Sequence, residues 1–133
     1  MSTEAFKESA YLAIDSHHDL FSLMLGEIKV YRKTLGWKVY LPWVGIPLRL
    51  LKKKLITLRD SFDTTEKDID RWVKNGLSIY IQQAILDWTI LVQDHKDLIV
   101  KGLTIATKTK AGWAGNDPED LYNIYTFNGL GVL

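Results

Sequence analysis

The chain contains no cysteine. That excludes disulfides, thiolate metal centres and a cysteine nucleophile, and it fits a reducing, intracellular setting. Long hydrophobic runs are missing as well. The longest stretch without a charged side chain, Leu121–Leu133, has 13 residues, whereas a helix needs about 20 apolar residues to cross a bilayer. A membrane span is therefore not expected, although a surface lying on a membrane stays open. The first residues, Met-Ser-Thr-Glu-Ala-Phe-Lys-Glu, carry acids where a secretion signal needs a basic region, so no export signal is expected. Neither nucleotide-binding glycine motif occurs, nor does His-Glu-x-x-His. There is no internal repeat and no low-complexity segment.

One further absence is local. No acidic side chain lies between Lys29 and Arg59, while nine basic ones do: Lys29, Arg32, Lys33, Lys38, Arg49, Lys52, Lys53, Lys54 and Arg59. Residues 1–28 carry a net −4 and residues 60–133 another −4, so the formal net charge of +1 conceals a strongly segregated distribution.

What is present belongs to an ordinary folded protein. A chain of 133 residues with 47% hydrophobic and 25% charged residues has the length of one domain and the composition of a globular one. At that size folding buries roughly 65–70% of the surface exposed by the unfolded chain, enough for a core without covalent staples.

Apolar residues at Phe6, Ala10, Ala13, Ile14, His17, Leu20, Phe21, Met24, Ile28, Tyr31 and Leu35 recur at steps of three and four, which predicts a helix over 4–34. Ser2 or Thr3 suits its N-cap. The two prolines and two glycines of Leu35–Pro47 predict an extended, apolar arm, because Leu41 and Ile46 each precede a proline. A second helix is expected over 47–62, with Pro47 in its first turn and a seam of Leu48, Leu51, Leu55, Leu58 and Phe62. Leu50 falls about 120° from that seam and hints at a second contact surface.

Asp63-Thr-Thr-Glu66 has capping-box spacing and predicts a new helix start. Residues 64–108 then read as one long helix, or as two divided by a left-handed cap at Asn75-Gly76. Leu77–Val92 is apolar on most sides and is expected to be the most buried element. Asp117-Pro118 predicts a short helix over 118–127, with a hairpin at Asn128-Gly129 as the alternative, and 129–133 forms an apolar tail. The expected fold is one all-α domain, a bundle of three to four helices.

Few residues suggest chemistry. Asp15, His18 and Asp19 share one side of the first helix, but the paired Glu-x-x-His motifs of a di-metal bundle are lacking, so no metal is assigned. His17 and His95 sit in apolar stripes, where a histidine is ordinarily a core residue, although two facing imidazoles could form a pH switch. Asp94-His95-Lys96-Asp97 has no local nucleophile. No catalytic or cofactor-binding residue is assigned, and no small-molecule substrate is implied.

The window 29–59 is the feature to explain. Its interface or anion-binding candidates are Lys29, Arg32, Lys33, Trp37, Lys38, Tyr40, Trp43, Arg49, Leu50, Lys52, Lys53, Lys54 and Arg59. Three accounts fit the sequence. The cations could pair with acidic helices of the same bundle. They could meet an acidic surface of a second copy or another subunit. They could bind nucleic acid or an anionic membrane, with Tyr31, Trp37, Tyr40 and Trp43 stacking on bases or anchoring at the lipid interface. The favoured expectation is a non-enzymatic structural or adaptor subunit of a larger assembly, a virus or phage structural protein among the candidates, located in the cytoplasm or a viral particle. The alternative is a small peripheral membrane-binding or nucleic-acid-binding protein.

Overall fold

The computed structural model describes residues 3–109 and 117–130; side chains are described for 7–108 and, from 117 on, for all but 124 and 127–130. Among these residues five α-helices and one 3-10 turn follow in order: α1 (Thr3–Leu35), the turn (Gly36–Tyr40), α2 (Pro42–Lys74), α3 (Ser78–Asp94), α4 (Lys96–Thr109) and α5 (Pro118–Leu130). No strand occurs among the described residues. The chain is an all-α bundle.

α1 is the hub, in contact with each of the other four helices and with the 3-10 turn. Its buried side, Ala10, Ala13, Ile14, His17, Leu20, Phe21, Met24 and Ile28, is the predicted stripe, now closed by α2–α5. α1 and α2 run antiparallel: His18 meets Glu66 at the far end of the seam, while Lys29 and Arg32 share a cleft with Lys52 near the turn. Each helix has 33 residues and is about 50 Å long at 1.5 Å per residue.

Two expected boundaries in α2 do not occur. The helix begins at Pro42 rather than Pro47 and carries Pro47 inside it, so the expected arm over 35–47 is instead a 3-10 turn followed by helix. Pro42 takes the N-terminal place that suits proline. Pro47 forfeits only the hydrogen bond to the Trp43 carbonyl, and both residues lie on an exposed turn where water can serve that oxygen.

Nor does the helix restart at 63–66. The hydroxyls that would cap a new helix donate backwards within the old one, Thr64 to the Asp60 carbonyl at 2.9 Å and Thr65 to the Ser61 carbonyl at 3.3 Å. The buried seam meanwhile continues from Leu48, Leu55, Leu58 and Phe62 to Ile69.

α2 ends at the predicted left-handed cap. Gly76 has φ +68°, the Leu77 N–H donates to the Trp72 carbonyl at 2.9 Å, and the Gly76 N–H to the Val73 carbonyl at 3.2 Å. This pair of bonds is a Schellman motif. A second break, at His95, has no counterpart in the apolar pattern. The His95 ring Nδ1 donates to the Leu91 carbonyl at 2.9 Å, closing α3, while its own carbonyl accepts from Ile99 N–H and opens α4.

α3 differs from expectation in burial. Ile81, Ala84, Ile85, Trp88 and Val92 face the core, but Ile79, Leu86 and Ile90 are exposed, so α3 is a surface helix rather than the most buried one. α5 starts as predicted, with the Asp117 carboxylate accepting from Glu119 N–H at 3.0 Å. It runs helically through Asn128-Gly129 to Leu130, which removes the hairpin alternative. Ser2, residues 110–116 and tail residues 131–133 lie outside the described residues.

Candidate functional site: a basic and aromatic corner

The corner between α1 and α2 is built on a close backbone approach. Gly45 is buried, and a Cβ at that position would collide with the Val39 carbonyl oxygen. The absence of a side chain there lets the 3-10 turn fold down onto the first turns of α2. The chain re-enters a helix through hydrogen bonds from Val44 N–H and Gly45 N–H to the Leu41 carbonyl, at 3.0 and 2.8 Å.

This packing turns the aromatics outward. Trp37 is 68% exposed, Tyr40 85% and Trp43 72%. Trp37 and Tyr40, three apart in a 3-10 helix, share one side of it. Trp43, Ile46 and Leu50 lie within about 60° of one another around α2 at 100° per residue, and all three are exposed. Leu50 is thus not an isolated apolar residue off the seam. It is the third member of a second, outward stripe that cannot be seen while 35–47 is read as extended chain. Tyr31 behaves differently: it packs against the core, with the Lys108 ammonium 5.9 Å above its ring.

Behind the aromatics lies a cleft of about 430 Å³, bordered by Lys29, Arg32, Lys33, Gly36, Val39, Tyr40 and Lys52. Four cations converge there, and among the described residues no acid lines the cleft. Arg32 and Lys33 also suit the negative end of the α1 dipole, but that does not account for Lys29 or Lys52. Lys53 and Lys54 edge a separate apolar groove between α2 and the α3–α4 junction, with Leu50, Leu91, His95 and Leu98. Lys38 and Arg49 are exposed, on the turn and on α2.

Arg59 stands apart from the others. It pairs with Asp60 at 3.6 Å and Asp63 at 4.0 Å. Among the described residues it is the one cation of the window in an ion pair. Among the described residues, the acidic helices make no ion pair with the other cations of the window.

A second concavity, of about 230 Å³, lies on the same α1–α2 seam beyond Arg59, with His17, His18, Phe21, Phe62, Asp63, Glu66 and Trp88 in its walls. His17 is 4% exposed and, among the described residues, neither ring nitrogen has a hydrogen-bond partner. Its ring lies 3.8 Å from that of Phe62 and edge-on to Trp88 at 4.6 Å. Burial, helped by the neighbouring His18, lowers its pKa to about 3. His18 is raised instead, chiefly by its hydrogen bond to Glu66 at 2.9 Å.

His95 lines the other groove and is held by Leu91, so the two histidines of the apolar stripes form no pair. Sequence reasoning placed His18 with Asp15 and Asp19; the fold brings it to Asp63 and Glu66 across the seam. The i, i+3 spacing of Asp63 and Glu66 was the available signal, read there as a helix cap.

Comparison with protein-family models, with curated proteins and with solved structures finds no match to this chain. No helix among the described residues is long and apolar enough to cross a membrane.

Proposed function

We propose that this protein is a non-enzymatic attachment protein that docks peripherally on an anionic membrane through the α1–α2 corner. The observation that carries this reading is the outward set of Trp37, Tyr40, Trp43, Ile46 and Leu50 beside a cleft lined, among the described residues, by four cations and no acid. Tryptophan and tyrosine favour the headgroup level of a bilayer, where one end of the ring is apolar and the other wet. Lysine, which dominates this window over arginine, is depleted at protein–protein interfaces but serves well against a diffuse negative surface. The acid-free cleft offers a place for a headgroup phosphate. Flotation with vesicles tests the reading. Mixed phosphatidylserine–phosphatidylcholine vesicles should carry the protein at low salt, pure phosphatidylcholine should carry far less, and high salt should weaken binding. Binding to duplex DNA with no response to vesicles would instead select nucleic acid.

Assembly, the other reading, is supported by a different surface. Ile79, Leu86 and Ile90 form an exposed apolar stripe on α3, of the kind that marks a contact between proteins. A second copy packed there would present two corners on one complex and raise membrane avidity without any new lipid contact. Sedimentation velocity of the wild type and of Ile79→Glu/Ile90→Glu tests this: the wild type should be dimeric and the variant a folded monomer. A wild type that is monomeric at micromolar concentration contradicts it.

A further inference from the structure

The concavity beyond Arg59 carries an inference independent of the docking corner. His18 comes from α1, and Asp63 and Glu66 from successive turns of α2. One ligand atom of each, the His18 Nε2 and a carboxylate oxygen of either acid, lies within 4.8 Å of the other two. Exposed acids commonly gather without binding anything, so this cluster alone would mean little. The wall behind it is what separates it from a chance surface group.

His17, Arg59, Phe62 and Trp88 line the same cleft, and four polar atoms there, both nitrogens of His17, Nε1 of Trp88 and Nε of Arg59, are buried without a hydrogen-bond partner among the described residues. Buried polar atoms are nearly always paired, and each exception calls for an explanation. An unpaired imidazole packed against the rings of Phe62 and Trp88 costs stability that a leucine would not. Its placement beside three convergent metal-type donors gives it a use.

We propose that His18, Asp63 and Glu66 bind one divalent transition-metal ion of the zinc type, with His17 in the wall beside the remaining coordination position. One imidazole and two carboxylates are a donor set that zinc and cobalt accept, and three protein ligands leave a place for water or an external ligand. Bonds of about 2.0–2.2 Å place tetrahedral neighbours roughly 3.3 Å apart. The His18–Glu66 pair stands at 2.9 Å already, and the side chains of His18, Asp63 and Glu66 are 57%, 49% and 30% exposed, so they have room to close on an ion. Two carboxylates and a neutral imidazole match the charge of a divalent cation. Arg59, 4.0 Å from Asp63, is the competing cation and would be displaced from that carboxylate.

Isothermal titration of chelator-treated full-length protein with Zn²⁺, and the visible absorption of the Co²⁺-loaded protein, test the site. One equivalent should bind, and Co²⁺ should give the intense bands of a four-coordinate centre. His18→Asn and Glu66→Gln should each weaken Zn²⁺ binding by more than the roughly 10–100-fold that outer-sphere partners contribute. Both residues are at the surface, so circular dichroism should show the variants folded. His95→Asn, in a different groove, should bind as the wild type does. Absence of one-equivalent binding, or binding unchanged in His18→Asn and Glu66→Gln, overturns the proposal.

Discussion

The buried backbone of Gly45 lies directly against the carbonyl of Val39. That contact folds the 3-10 turn onto α2 and fixes which way Trp37, Tyr40 and Trp43 point. Gly45→Ala must push backbone against backbone, and small-to-large changes in close-packed places cost about 1–3 kcal/mol. Gly26, on the exposed side of α1, has open space where a Cβ would go. Gly26→Ala should stabilise by about 0.5–1 kcal/mol, the helix-propensity difference. Urea denaturation of both variants checks the pair; equal effects would mean that the contact at Gly45 does not hold the corner.

The seam around His17 sets an acid limit on stability. Its folded pKa of about 3 lies below the unfolded value near 6.5, so between those values the unfolded chain binds the extra proton. Stability should therefore fall as pH drops through that window, by up to about 1.4 kcal/mol per pH unit from this one group. His18 acts with the opposite sign. Its raised pKa contributes stability that is full below pH 6.5 and is lost as pH rises through the raised value. It is more than half exposed, so its part is smaller. His17→Leu should raise the urea midpoint and flatten its fall between pH 6.5 and 4.5. A midpoint in the wild type that is independent of pH over that range would contradict this account.

Much of the architecture follows from periodicity. The stripe from Ala10 to Ile28, the seam from Leu48 to Phe62 and the cap at Gly76 are all visible in the sequence, because one face of each helix must be apolar and a left-handed residue must end α2. What escaped has a physical reason in each case. Proline at 42 and 47 reads as a helix breaker, yet near a helix start it removes little, and missing this hid the Trp43–Ile46–Leu50 stripe. Asp63–Glu66 reads as a cap because its residue types are ambiguous; the hydroxyls chose internal carbonyls instead. The break at His95 depends on a ring-to-carbonyl bond that no spacing announces. The aromatic corner itself was legible as the residues 35–47, whereas the meeting of His18 with Glu66 is tertiary and could not be read from either helix alone.

The cleft behind the corner should contribute measurably to membrane affinity. A Lys or Arg near an anionic surface is worth about 1 kcal/mol, roughly fivefold in affinity. Replacing Arg32 and Lys52, both in that cleft, by alanine should weaken binding to anionic vesicles by about 25-fold if they act independently. Arg59→Ala should change it little, because Arg59 is already paired with Asp60 and Asp63. Titration of labelled vesicles in a flotation assay gives both numbers, and an Arg59 variant as impaired as the double variant would place the binding surface elsewhere.

The central claim is that Trp37 and Trp43 enter the lipid interface. Tryptophan emission during titration with phosphatidylserine-containing vesicles tests it most directly, since the chain has five tryptophans and a Trp37→Phe/Trp43→Phe variant separates these two from the buried Trp88 and the rest. The account predicts a blue shift at low salt in the wild type, absent in Trp37→Phe/Trp43→Phe and absent with phosphatidylcholine alone. Vesicle binding without any shift, or an equal shift in the double variant, would contradict it.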